Sequence, residues 1–380
     1  MFAPIRSLTA FTRGAPPALL ASAAAVTFMF SATPFLIAEI ADRYDVGRGD
    51  AGLYSTVQVG AFALTTVLIP RFAQPSVSVF RAAVGVLVVA NLSSIFAPGY
   101  LALLGTRVVA GAAAGTITWL GWAAAMETRR SLAAMSAVGP VAALVAAPVV
   151  GLLVGLGDAA VFAVIAAVAL PVMFLRLPPF GTRLVPGERS GSRSNRVLLG
   201  ALFLLTFAGA GLFVYLTVIG VERLGMTPFE ASLGFSLNAA AGFVGARLSG
   251  RHRRPGVWLA TAGPAAVLSV LGGSVLWFYV GLAWWGLAFW MGLPGVLEML
   301  AARSLRPDER AGDAQGLMAF GRSAGPGVGG VFVDGGSFEG LALAAGIGLT
   351  MSGLIVVGVQ EGREALPPSD LRTVGGDPLQ

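Results

Sequence analysis

The sequence predicts an all-α polytopic membrane protein, with twelve transmembrane helices in two pseudo-symmetric six-helix bundles around a central cavity. Three observations lead there: a composition too apolar for a water-facing surface, a train of span-length apolar runs, and a weak internal repeat. Of 380 residues, 56% are hydrophobic and 12% charged, and the mean hydropathy is +0.80. Soluble domains carry about 25% charged residues, so this chain cannot cover itself for water.

The apolar runs fall at 17–38, 50–70, 81–97, 100–126, 131–155 and 159–175, then at 197–220, 230–250, 256–273, 277–301, 313–333 and 338–359. Each suits a helix crossing about 30 Å of hydrocarbon. The ninth and tenth nearly touch. As one helix they would exceed twice the bilayer thickness at about 1.5 Å per residue, so "LGGSVLWF" must contain a turn. The first run follows two arginines, as a signal peptide would, but its length and the eleven runs behind it make it the first helix. The longest break, "RLPPFGTRLVPGERSGSRSNR" (176–196), is rich in Pro, Gly, Ser and Arg and reads as a linker. The expected organisation is a first bundle at 1–175, a linker at 176–196, a second bundle at 197–360 and a tail at 361–380. No break is long enough for a separate soluble domain.

All 25 basic residues are arginine. With the N-terminus inside, twenty fall in cytoplasmic segments and only Arg43, Arg48 and Arg223 outside. That asymmetry places both termini in the cytoplasm and the chain in the cytoplasmic membrane. The arginines are spread over seven segments, so a pI near 10.6 does not signal nucleic acid. The absence of cysteine excludes disulfides and thiol catalysis. The single histidine, His252, lies among arginines, so neither a metal nor a cofactor is expected. No Gly-rich phosphate loop with its Lys-Ser/Thr ending is present, which excludes ATP hydrolysis.

The halves repeat. "DAGL" (50–53) matches "EASL" (230–233) at an offset of 180, and "APVVG" (147–151) matches "GPGVG" (325–329) at 178. The first pair sets a carboxylate where a helix begins, at the positive end of its dipole. Related halves across a linker suggest bundles facing one central site.

Four further stretches carry a family resemblance: "RVVAGAAAG" (107–115) in the fourth run, "APVVGLLVG" (147–155) in the fifth, "AGPGVGG" (324–330) in the eleventh, and "GARLSGRHRRP" (245–255) between the eighth and ninth. They resemble the Arg-x-x-x-Gly, Gly-Pro-x-x-Gly and basic-loop motifs of the major facilitator superfamily, the second being that of its drug–proton antiporter branch. The resemblance implies a secondary transporter working by alternating access, with a monomer, a small-molecule substrate and protons as partners. The loop keeps Gly245, Arg247, Arg251, Arg253 and Arg254, but Ser249 and Gly250 stand where the family has an aspartate. Its counterpart at 69–81 keeps little more than Arg71. The resemblance therefore does not extend to a loop-mediated charge lock.

Two arginines remain inside runs. Arg107 lies about seven residues from the outer end, ~10 Å deep, too deep for its head to reach the interface. It is either a structural arginine held by the carbonyls of a neighbouring helix, or a fixed charge that tunes a protonatable group or binds an anion. Arg322 faces the same choice between a buried pair and a substrate or gating role; the repeat puts Leu144 in its place. Glu298 and Glu39 are the carboxylates available for coupling. Gly111, Gly115, Pro148, Gly151, Gly155, Pro326, Gly329 and Gly330 suit close helix packing and kinking, or gating by resemblance. Gln58, Trp119, Trp122, Tyr215, Asn238, Trp284, Trp285 and Trp290 are the polar and aromatic cavity candidates. The Pro-Gly motif favours proton-coupled efflux; two intramembrane arginines favour an organic anion or acidic natural product. Proton-linked uptake of such an anion is the alternative, and an intramembrane lipid-modifying enzyme a distant one, because acids and histidines for such chemistry are missing.

Overall fold

The computed structural model describes residues 16–125, 129–177, 193–249, 254–302 and 307–364. All regular structure among them is helical. In chain order the helices are α1 (Pro17–Tyr44), α2 (Arg48–Phe72, interrupted at Gly52), α3 (Val77–Ile95), α4 (Tyr100–Ala125), α5 (Arg129–Leu153) and α6 (Asp158–Ala169, running on as a 3-10 turn to Phe174). There follow α7 (Arg193–Phe213, with a second segment Leu216–Leu224), α8 (Pro228–Leu248), α9 (Pro255–Leu271), α10 (Val275–Ala302), α11 (Pro307–Asp334) and α12 (Phe338–Glu364). Eight are long and apolar enough to cross a membrane; α6 and α9 are shorter apolar helices. The α8 and α11 helices fall outside both groups, because glycine and polar residues dilute their apolar character.

The tight turn demanded by the 256–301 stretch lies between α9 and α10, with Gly273 at φ +70°. Asp45, Gly157, Gly225 and Gly336 also have positive φ, at 51°, 90°, 66° and 70°. All five turns sit at one end of the molecule, called here the Asp334 end, where α1, α5, α7, α9 and α11 hand over to the next helix. Left-handed backbone reverses a chain in few residues, and glycine takes it without strain. At the same end a capping box opens α8: Glu230 accepts from the Thr227 amide at 2.7 Å and Thr227 Oγ1 accepts from the Glu230 amide at 3.2 Å.

The α2 helix packs on α4, α3 on α4 and α6, and α1 on α5 and α6. Further along the chain α7 packs on α11 and α12, α9 on α10 and α12, and α8 on α10. Two seams join these groups: α5 against α8, and α2 against α11. The 178–192 part of the expected linker, the 365–380 tail, and Arg251 and Arg253 lie outside the described residues.

Candidate functional site

Arg107 is fully buried, walled by α2, α3 and α6. Its Nη1 donates to Asn91 Oδ1 at 3.0 Å and, weakly, to Gln58 Oε1 at 3.5 Å. Nη2 donates to the Ala90 carbonyl at 3.0 Å and to Ser94 Oγ, and Nε to Thr106 Oγ1 at 3.4 Å. The guanidinium carbon lies 4.8 Å from the Phe162 ring centroid and 5.7 Å from that of Tyr54. Asn91 is itself oriented by donating Nδ2 to the Leu87 carbonyl at 2.7 Å. No ion pair among the described residues involves Arg107. Neutral oxygens and two π faces hold the charge, an arrangement that suits a planar guanidinium better than an ammonium.

Arg322 is placed differently. On α11, Gly321, Gly325 and Gly329 lie against α7, while Ser323, Gly327 and Gly330 lie against α2. Val328 and Val331 point outward and are exposed. At 100° per residue, Arg322 falls in the arc between the two packed faces, beside buried Ala319, Pro326 and Val333. Arg322 is nevertheless exposed, although its neighbours on this arc are buried. Among the described residues it has no ion pair and no side-chain hydrogen bond.

The Asp334 end is closed by contacts across the seams. Tyr215, in the break of α7, donates its hydroxyl to the carbonyls of Pro326 (2.8 Å) and Gly49 (3.2 Å). Asp334 at the end of α11 accepts from the amides of Gly49 (2.6 Å) and Asp50 (3.1 Å), supplying from another helix the cap that α2 lacks in its own sequence. A Cβ on Gly49 would lie 2.1 Å from the Gly330 carbonyl, so only glycine permits this approach. Arg48 reaches Glu222 at 3.2 Å. Below these contacts, Phe35, Phe235, Phe213 and Trp285 form a chain of rings from α1 through α8 and α7 to α10, with centroids 5.2, 4.9 and 5.6 Å apart.

The other expected positions separate into roles. Gly111 and Gly115 bring α4 onto the α2 carbonyls of Gln58 and Phe62, and Gly151 brings α5 onto Ser232. Nothing lies within 4 Å of a Cβ on Gly155. Pro148 withdraws the amide that would bond the Leu144 carbonyl, and Ser236 Oγ replaces it at 3.0 Å. Gln58 belongs to the Arg107 socket. Asn238 donates to the Leu282 carbonyl at 2.9 Å, binding α8 to α10. Trp290 packs over Gly242, and Trp122 joins a small cluster with Leu19 and Met135. Trp119 is half-buried on the main core. Trp284 turns to α9, where its Nε1 donates to Thr261 Oγ1 at 3.2 Å and its ring faces Trp258. Glu298 is exposed. Glu39 is half-buried, with Asp42, Asp158 and Arg48 as its charged neighbours. In the loop motif, Gly245 sits against the Leu287 carbonyl, Arg247 covers the Phe243 ring at 4.4 Å, and Arg254 precedes α9.

Sequence reasoning missed Asp334, Tyr54, Asn91, Ser94 and Asp158, the last paired with Arg43 at 2.7 Å. Asn91 alone gave a signal, as an amide within the apolar "VVANLSS".

The Major Facilitator Superfamily model matches residues 18–330. Among solved structures, the chain is similar to a bacterial homologue of the human lysosomal transporter Spinster, inward-facing and occupied. The TM-score is 0.73 at 16% identity, covering 92% of this chain and 98% of that one. The inward-facing, unoccupied form of that homologue gives 0.64 at 17% identity, with 90% and 94% covered. No curated protein matches the chain.

Proposed function

Because the chain belongs to the Major Facilitator Superfamily, and is thus a membrane solute transporter and not an enzyme, we propose that it moves a small organic anion by alternating access. One observation carries the substrate charge: Arg322, a guanidinium with no ion pair among the described residues, on an inward-facing arc of a helix that otherwise packs by glycine. An arginine with neither an acid nor a set of fixed oxygens such as Arg107 has is a costly fixture in a membrane protein unless something brings the counter-charge. The contact pattern supports two six-helix bundles, α1–α6 and α7–α12, meeting at the α2–α11 and α5–α8 seams.

In this reading the direction is efflux and the coupling ion is the proton, with Glu39 as the exchanging carboxylate. Its half-burial beside Asp42 and Asp158 supports that role. The Spinster homologue, named for a transporter, agrees with solute transport and says nothing further about the cargo. The arginine asymmetry supports the cytoplasmic membrane with both termini inside.

The test is uptake of labelled organic anions into inside-out vesicles, comparing wild type with Arg322→Gln. Wild-type accumulation that follows the pH gradient, and its loss in Arg322→Gln at equal protein, is the expected result. Accumulation of cations or neutral solutes, indifferent to Arg322, would overturn the anion reading.

A further inference from the structure

Two prolines at repeat-equivalent positions each leave a carbonyl without its helical donor. Pro148 does so to Leu144 and Pro326 to Arg322, four residues back in both cases. On the α5–α8 seam the gap is filled by Ser236 Oγ on the Leu144 carbonyl, at 3.0 Å. The offset that aligns residues 50–53 with 230–233 aligns Thr56 with Ser236, hydroxyl with hydroxyl. The equivalent bond on the α2–α11 seam would therefore run from Thr56 Oγ1 to the Arg322 carbonyl.

That bond is not made. Thr56 Oγ1 is buried and has no hydrogen-bond partner among the described residues. It faces α11 all the same, since a Cβ on Gly327 would lie 3.4 Å from it. The seam is instead joined one residue along: Ser323 Oγ donates to the Thr56 carbonyl at 2.9 Å. Two hydroxyls thus compete to fasten the same pair of helices, and one is idle while the Asp334 end is closed.

We infer that the α2–α11 seam has two registers, and that in the second Thr56 donates to the Arg322 carbonyl while Ser323 lets go of Thr56. The inference rests on the alternating-access reading and gives it a moving part. Exchanging one hydroxyl for the other keeps one bond on the seam in either register, so the shift costs no net hydrogen bond between the two helices. The carbonyl that is captured belongs to Arg322, which meets the anion in the proposed function. The register therefore turns the Arg322 guanidinium as the Asp334 end opens. The α5–α8 seam, already bonded in the equivalent way, acts as the pivot.

The chain has no cysteine, so spin labels can be set at Phe96→Cys and Leu276→Cys, two exposed positions at the Asp334 end on opposite sides of the seams. Distance distributions in lipid nanodiscs then count closed and open ends. Thr56→Val removes only the hydroxyl and should lower the open fraction about threefold or more. Ser323→Ala should raise it by a similar factor, and Thr56→Ser should match wild type. Melting curves check that each variant is folded; Thr56→Val is isosteric, and Thr56→Ser against Ser323→Ala repeats the comparison should it fail to fold. Shifts of the same sign, or no shift while wild type shows two distances, would overturn the exchange and leave alternating access standing. One distance in wild type under every gradient and anion would remove alternating access, and the exchange with it.

Discussion

Arg107→Ala offers the sharpest test of how an intramembrane arginine is used. The substitution removes five donors at once, and the consequences can be followed acceptor by acceptor. Ser94 Oγ keeps the Ala90 carbonyl at 2.8 Å and Thr106 Oγ1 at 2.7 Å. Asn91 Oδ1 and Gln58 Oε1 lose the guanidinium, and neither accepts another hydrogen bond among the described residues. A stranded buried acceptor costs about 1–3 kcal/mol, and the emptied space between the Phe162 and Tyr54 rings adds a packing loss. Two such acceptors and the lost packing together set the expected cost at about 3–5 kcal/mol. It is a large fraction of the roughly 5–15 kcal/mol that holds a folded protein together. The assay is the thermal midpoint in detergent together with the yield of monodisperse protein, both of which should fall. Arg107→Met combined with Asn91→Leu should recover much of the loss, because it removes charge and acceptor together. If the double variant also transports, Arg107 is a framework residue; if it folds but does not transport, the charge itself is used. A normal midpoint and yield for Arg107→Ala would refute the reasoning.

Other outcomes follow from the same geometry. Asp334→Ala should open the Asp334 end in the spin-label experiment, with Asp334→Asn intermediate, because asparagine keeps an acceptor for one of the two amides but not the charge; unchanged distances would remove the latch role. Gly49→Ala should force α2 and α11 apart at that end, seen as lower stability and a longer distance, since its Cβ meets the Gly330 carbonyl at 2.1 Å. A cysteine at position 190 should resist an impermeant thiol reagent in intact cells while one at position 45 reacts; the reverse pattern would invert the orientation. Collapsing the pH gradient should abolish concentrative transport and spare counterflow exchange, and undiminished accumulation would exclude proton coupling.

Eight spans were legible because span length is a one-dimensional property: a run of apolar residues either reaches across hydrocarbon or does not, and α6, α8, α9 and α11 do not meet that test. The turn at Gly273 was legible for the same reason. Helix rotation was not. In a water-soluble helix the polar face reveals which side looks outward, but the outside of a membrane helix is as apolar as its core. Hence the tenth run offered Trp284, Trp285 and Trp290 without distinction, and the structure sends them to α9, to Phe213 and to Gly242 respectively. The partners of Arg107 were hidden likewise, since Asn91 and Ser94 come from another helix, and only rotation decides that they meet it. Asp334 was passed over because a carboxylate next to a turn looks like any solvated helix end.

Arg107 and Arg322 resemble each other in sequence, each being one charge in an apolar run, yet the energetics divide them. Arg107 is paid for locally by oxygens that do not change, so its charge is neutral to whatever the rest of the molecule does. Arg322 has no such set, and water must hydrate it while the central cavity is open. Alternating access requires an intermediate in which both ends are shut, and shutting them strips that water away. A bare guanidinium in a dry cavity faces a desolvation penalty of several kcal/mol, enough to make the empty closed state rare by a factor of a hundred or more. An anion in the cavity supplies the missing counter-charge and lets the ends close. An unpartnered arginine thus does two things in this reading: it selects the charge of the cargo, and it makes the anion-free return the slow leg of the cycle. Replacing it by glutamine should then lose coupled transport of anions while raising the rate at which the empty carrier turns over, two effects of opposite sign from one charge.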